Sequence, residues 1–371
     1  TPAASDFTIT QAINGGAATT VTGTVYSYTY ETKTVVIDVP VVAEASEEQN
    51  VVYSVQYKDT TAVAAPAIVV GAAFGIKDIV EPSLKLIKVN LNKDYDSSKD
   101  TFSVYKTSDT SATVAITAKA VTENSKQVLV IANGKFDADV DYTLKLTRDG
   151  KDYTKAFKVA ADVTVPQLDS VKAIGNKIIR ATFSEPVENA DAANAGAYNY
   201  KIGDKVIGGT DYAVTDVKVS DDFTSVDIKL ANILETGEYT FAIVRDNTTD
   251  VIDYAGYYVP AMSAKFTVTV SLTAAQVKDL TVNSRSEVVV EFTDPVEDPA
   301  TSTVFWNTDG SDSNTYKAAN KVAKRSDTKY AFSFTTNVIP TGKVYFFVKG
   351  VVDAYGNSVP TRKFEVEVGA D

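Results

Sequence analysis

Asp353 and Asn357 stand on either side of a glycine turn in VVDAYGNSVP (351–360), and Asp253 holds the matching place in VIDYAGYYVP (251–260). Asp294, Glu297 and Asp298 follow the run VVVEF, and Glu185 and Glu188 follow IIRATF. Carboxylates and Asn amides offer hard oxygen atoms, and Ca2+ takes about six to eight such ligands. Asp353, Asn357, Asp294, Glu297, Asp298, Asp253, Glu185 and Glu188 are therefore the candidate calcium ligands. The same residue types also form turns unaided, because an Asx side chain hydrogen-bonds the backbone two residues on. The sequence leaves both readings open.

Other chemistry is bounded by composition. The chain has no His and no Cys, which excludes Ser-His-Asp and Cys-His nucleophile systems and ordinary Cys/His zinc sites. No pair of carboxylates stands apart from the repeated turns as a glycosidase pair would, and no Gly-rich phosphate loop joins a strand to a helix. The expectation is a protein that is not an enzyme. A formal charge of −12 argues against nucleic acid or an acidic membrane surface as partner. No apolar run reaches the roughly 18–20 residues of a membrane span. Thr1 is not an initiator Met, so the chain is expected to be a mature product or a fragment.

Smaller clusters carry weaker signals. DYDSSKD (94–100) has Lys99 where an EF-hand needs Gly and reads as a hairpin turn. TDGSDSN (308–314) is a turn with several oxygen-bearing side chains. Tyr26, Tyr28 and Tyr30 share one strand face by the period of two, where they could meet a core, a partner or a sugar ring. Trp306 is expected to pack, and Lys321, Lys324 and Arg325 form a basic patch on an acidic chain.

The elements that must position these residues are strands. Short alternating runs rich in Val, Ile, Thr and Tyr are separated by Gly, Asp, Asn and Pro, as in IIRATF (178–183), SVDIKL (225–230), YTFAIV (239–244) and KYAFSF (329–334). Only Ala190–Ala197 and Ala274–Lys278 suggest a helical turn. Five landmarks recur in one order about a hundred residues apart. These are a Val-bearing first strand, Phe183-Ser-Glu-Pro or Phe292-Thr-Asp-Pro, Thr236-Gly237 or Thr341-Gly342 before a Tyr-bearing strand, the Asp-x-x-Gly turn, and Val-Pro before a last strand. Proline ends a ladder because it has no N–H to donate. The reading is all-β, with tandem Ig-like β-sandwich modules at residues 1–76, 77–165, 166–270 and 271–371. AADVTVP, between the second and third, has no Gly/Ser run, so the joints are expected to be short and stiff.

TFSEPVENA (182–190) and VVDAYGNSVP (351–360), with the Thr-Gly-x-Tyr strand, resemble the bacterial Ig-like modules of surface-layer (S-layer) proteins of the Bacillus type. The resemblance covers the third and fourth modules well, the second loosely and the first hardly. The third module departs from it at Tyr257, where the pattern has Asn. The resemblance implies a structural protein of the bacterial cell surface that assembles with itself into a two-dimensional lattice, commonly with calcium. It also implies attachment to a cell-wall polymer through segments not in this chain. An adhesin or carbohydrate-binding stalk, and the accessory region of a secreted polysaccharide hydrolase, are the alternatives, since one fold hosts many functions.

Overall fold

The computed structural model describes residues 2–45, 47–121, 124–190, 199–245, 250–312 and 316–369. The alternation seen in the sequence becomes alternation of burial. Ile178–Phe183, Ser225–Leu230 and Glu287–Phe292 each bury every second side chain, as half-buried antiparallel strands must.

The last three modules share one topology. In the third, one sheet orders Leu168–Ile174, Ile178–Phe183, Ser225–Leu230 and Val214–Val219, and the facing sheet orders Lys205–Val206, Tyr200–Ile202, Gly237–Ile243 and Met262–Val268. In the fourth the same order is Val277–Ser284, Glu287–Phe292, Lys329–Ser333 and Lys321–Ser326, facing Lys317–Ala318, Val304–Asn307, Gly342–Val348 and Arg362–Val368. In the second it is Ile76–Val80, Leu86–Leu91, Asn124–Ala132 and Ile116–Val121, facing Asp109–Val114, Thr101–Lys106, Asp141–Arg148 and Lys151–Lys158. By the Ig convention this is A-B-E-D against C′-C-F-G. Each module has its own core, such as that around Ile228, Phe241 and Phe266 in the third and Val290, Phe332 and Phe346 in the fourth. Two fully buried tyrosines keep their hydroxyls paired. That of Tyr200 donates to the Ala190 carbonyl at 2.8 Å, and that of Tyr142 accepts from the Asp137 N–H at 2.9 Å.

The first module is leaner. Phe7–Ile13 and Gln49–Tyr57 centre a five-stranded sheet, faced only by the hairpin Thr24–Thr29 and Thr34–Asp38. Its buried hydrophobic residues are Ile9, Val51 and Tyr53. With so few large apolar residues pointing inward, there is little for a second full sheet to pack against. Residues 274–278 correct one expectation. They form no helical turn but run extended into the strand Val277–Ser284, because Val277 must pair with Phe292 and enter the core. The other suggested turn, at Ala190–Ala197, falls on residues 191–197, outside those described.

The last two joints share one device. The F–G loops of the third and fourth modules each dock at the A–B turn of the module before, Tyr254 beside Lys85 and Ala354 on Gly175. Tyr254 is buried with the second module's core and its carbonyl accepts from Lys135 Nζ at 3.0 Å. Ala354 sits so close to Gly175 that a Cβ there would overlap its carbonyl, and its carbonyl accepts from the Asn176 N–H at 3.3 Å. Charge reinforces the second of these joints. Arg180 grips Asp227 at 2.5 and 2.6 Å and reaches across to Asp327 at 3.0 and 3.1 Å, while Lys218 meets Asp298 at 2.7 Å.

Burial acts to raise the carboxyls of Asp298 and Asp327, but Lys218 on the first and Arg180 with Lys324 on the second outweigh it. Both are held below the ordinary value of 3.8. A depressed folded-state value means that stability is fully present above the unfolded value and is lost as pH falls through the folded one. The joint between the third and fourth modules is therefore expected to hold from neutral pH down to about pH 4 and to open below it. The distance between spin labels on the third and fourth modules, followed along a pH series, checks this; a distance distribution that broadens between pH 7 and 5 would contradict it.

Candidate functional site

The F–G turn explains why Asp is followed by Gly three residues on. In the fourth module Asp353 is fully buried, and its Oδ1 accepts the N–H groups of Tyr355 and Asn357 at 2.9 and 2.8 Å. In the third, Asp253 Oδ1 accepts those of Ala255, Gly256 and Tyr257 at 2.8, 2.6 and 2.8 Å. Gly256 and Gly356 have φ of +100° and +91°, a region that glycine enters at little cost. The Phe-x-x-Pro landmark supplies the other side of the turn. After Pro186, Val187–Glu188 pairs with Ile252–Asp253. After Pro295, Val296 bridges Asp353, and the Pro295 carbonyl accepts from the Ala354 N–H at 2.8 Å. Two of the repeated sequence landmarks are thus partners in space.

The second carboxylate oxygen separates the two turns. Asp353 Oδ2 accepts from the Ala275 N–H and from Asn357 Nδ2, both at 3.1 Å, and the same amide also donates to the Ser271 carbonyl at 3.0 Å. Burial would raise the Asp353 carboxyl, but these donors from Asn357, Ala275 and Tyr355 hold it below the usual range. Asp253 is 1% exposed, and its Oδ2 is buried with no hydrogen-bond partner. Such an oxygen costs about 1–3 kcal/mol, and more when charged, unless something pairs it.

Something of the right chemistry could bind there. Asp162, Glu185 and Asp253 each place a carboxylate oxygen within 4.8 Å of the other two, and this is the one such group of acidic residues among those described. Thr164 ties the linker residue in, donating through its N–H and hydroxyl to Asp162 Oδ1 at 3.0 and 2.7 Å and through its hydroxyl to Glu185 Oε1 at 3.2 Å. Burial, then the neighbouring Asp162 and Asp253, pushes the Glu185 carboxyl up to about 7. Burial also works to raise Asp162, but Thr164 and Glu185 hold it below the ordinary range. Like charges packed this closely favour either a shared proton or a bound cation. Three carboxylates and the Thr164 hydroxyl are hard-oxygen donors of the kind that suits Ca2+.

The remaining candidates are placed elsewhere. Glu188 is exposed; after burial, its charge helps push the Tyr254 phenol up. Asp294 accepts from the Thr293 hydroxyl at 2.8 Å, Glu297 lies 3.9 Å from Lys229, and Asp298 pairs with Lys218. These three and Asp353 do not converge as a group of three ligands among the described residues. Asp100 of DYDSSKD takes a two-pronged pair from Arg148 at 2.5 Å, so this loop is a turn held by its own module. In TDGSDSN, Asp309 binds Ser311 and Asp312 meets Lys349, while Ser313 and Asn314 lie outside the described residues. Trp306 packs on the fourth core and donates to the Asn337 carbonyl at 2.9 Å. Lys324 and Arg325 are paired with Asp327 and Glu287. Tyr28 and Tyr30 meet edge to face, and Tyr30 stays 69% exposed under Lys33.

Asp162 is the site residue that the sequence does not flag. It sits in a linker, away from every repeated landmark. The available signal was the linker alignment, in which Asp162 takes the place of Ser271.

Two curated proteins are similar to the chain. The Surface-layer 125 kDa protein of Lysinibacillus sphaericus is 24% identical over 327 residues, which is 85% of this chain and 26% of that protein. The Outer cell wall protein of Brevibacillus brevis is 26% identical over 348 residues, covering 88% and 32% respectively. The chain therefore spans about a quarter to a third of the length of these relatives. No protein-family model matches it. Similar solved structures include the N-terminal part of the bacterial S-layer protein SbsC (17% identical, TM-score 0.32, 56% of this chain and 44% of that one). The FN1–FN3 domains of chicken CNTN1 are another (10% identical, TM-score 0.22, 79% and 98%). At scores of this size the fold class rests on the strand order and pairing described above. In sequence, the chain is similar to a bacterial surface-layer protein and an outer cell wall protein.

Because Asp353 is the acceptor for four donors, Asp353→Ala is expected to cost the fourth module roughly 3 kcal/mol. Native-state hydrogen exchange reads this locally. The Tyr355 and Asn357 amides should lose protection, and unchanged exchange there would show that the carboxylate does not anchor the turn.

Proposed function

We propose that this chain is a structural segment of a bacterial S-layer protein, lying at the cell surface and associating with further copies of itself in a two-dimensional lattice. Calcium is its cofactor, held by Asp162, Glu185 and Asp253. The observation that carries the calcium reading is the buried, unpartnered Asp253 Oδ2 facing two further carboxylates. The sequence relationship to a surface-layer protein and an outer cell wall protein supports the role.

Tandem sandwiches suit a lattice. Each carries its own core, so its exterior is free for heterologous contacts that propagate instead of closing. A flat array also needs a fixed shape in each subunit, and the three acidic residues lie where that shape is set. Asp162 is in the linker, Glu185 follows strand B, and Asp253 adjoins the Tyr254 knob docked on the second module. Ca2+ bound to all three would tie the linker to the docking loop. Attachment to a cell-wall polymer belongs to segments outside this chain. No catalytic step is assigned to any residue.

The test is electron microscopy of the purified chain after dialysis into calcium, beside an aliquot in chelator, with a melting curve of each. Ordered sheets that need calcium, and a transition raised by about 2.7 kcal/mol at a hundredfold excess over Kd, are expected. Asp162→Asn with Glu185→Gln should abolish the calcium effect. Identical melts with and without calcium would remove the cofactor from the proposal, and monodisperse particles in both would count against assembly by this segment.

A further inference from the structure

The joint before the third module and the joint before the fourth can be superposed residue by residue through their hydrogen bonds. Leu168 pairs with Phe183 as Val277 pairs with Phe292. One residue earlier, Gln167 exchanges bonds with Ser184, its N–H donating to the hydroxyl at 2.9 Å and its carbonyl accepting at 3.0 Å. Gln276 does the same with Thr293 at 3.0 and 2.9 Å. The register is thereby fixed, and Pro166 stands at the place of Ala275 and Asp162 at the place of Ser271. Tyr257 stands at the place of Asn357 in the same turn, and Glu185 at the place of Asp294.

These differences act on one atom. The oxygen that Asp353 presents is satisfied by two donors, the Ala275 N–H and the Asn357 amide. At the earlier joint both donors are gone, since Pro166 has no N–H and a Tyr257 side chain has no amide. Asp253 Oδ2 is accordingly unpartnered. In the same place the chain gains a carboxylate, Asp162 for Ser271, which converges with Glu185. Loss of donors and gain of negative charge around a buried anion would each be costly alone. Together they make sense if a cation occupies the donors' place.

We infer that this one turn is built in two exchangeable chemistries. The joint between the third and fourth modules is closed by protein donors, and the joint between the second and third by a divalent cation. Only the earlier joint then responds to cation removal. This rests on the calcium reading above and goes beyond it by assigning the response to one of two homologous hinges. It also names the residues that decide which hinge it is: Asp162, Pro166 and Tyr257 against Ser271, Ala275 and Asn357.

The full chain has no cysteine, so introduced thiols are its only labelling sites. Thr154, Thr267 and Glu367 are exposed on the last strands of the second, third and fourth modules. Spin labels at T154C with T267C span the earlier joint, and labels at T267C with E367C span the later one. The expected result is that chelator removes the narrow distance peak of the first pair, calcium chloride restores it, and the second pair is unchanged. The variant D162S/P166A/Y257N should keep a narrow first-pair peak in chelator. Isothermal calorimetry with calcium chloride separates the two levels of failure. If no saturable site is found, the calcium reading falls and this inference with it. If calcium binds yet chelator broadens both pairs, the second pair alone, or neither, the assignment to one hinge is overturned while the calcium site stands.

Discussion

One buried carboxylate per module, at the F–G turn, is the interaction on which the later half of the molecule depends. Asp253 and Asp353 gather the turn's own N–H groups onto Oδ1, which fixes a tight loop with a left-handed glycine three residues on. The cost of burying that charge must be met by donors or by a counter-charge. Nearby features follow from that demand. A proline three residues past the end of strand B precedes the residues that cross to the loop, and the chain entering strand A passes close enough to contribute Ala275 N–H in one module and Asp162 in the other. The second module has neither the Phe-x-x-Pro segment nor the long F–G loop. There Arg148 and Lys151 flank a two-residue Asp149-Gly150 hairpin, so the two features are absent together.

The same loop that is pinned from within serves as the knob for the neighbouring module. Its residue after the aspartate is Tyr254 at one joint and Ala354 at the other, and the receiving surface changes in step. Tyr254 enters a pocket beside Lys85 and Phe223, with the buried Lys85 ammonium about 5 Å above each ring, a favourable position for a cation on an aromatic face. Ala354 lies on Gly175, where any side chain would collide. Large on open and small on closed are both complementary packings. They differ in what surrounds them. The later joint carries Arg180 between Asp227 and Asp327, a network of its own protein charges. The earlier joint carries the carboxylates of Asp162, Glu185 and Asp253, none of which has an ion pair with a Lys or Arg among the described residues.

How much of this could be read from the residues varied with the range of the interaction. Strand identity, the all-β sandwich architecture and the repeated landmarks are local or periodic properties, and period-two burial in Ile178–Phe183 and Glu287–Phe292 follows the pattern of the letters. The Asp-x-x-Gly turn is equally local, since the donors to Oδ1 lie within four residues. The apparent helical turn at Ala274–Lys278 was misleading because Val277 is claimed by the core and by its pairing with Phe292, which outweigh weak helix propensity.

By itself, then, the sequence determined the fold class and the acid-bearing turns, and it marked Asp253 and Glu185 as oxygen donors. Only the tertiary structure decided which acids meet. Asp353 and Asn357, the candidates that flank a glycine turn, spend their polar atoms on each other and on the backbone, whereas Asp162, unremarkable in a linker, completes a group with two residues far from it along the chain. The physical reason is that a ligand set is defined by unspent valences converging at a point. Spacing along a strand says which atoms are available, but only the path of the linker past two loops says which of them are left without a donor.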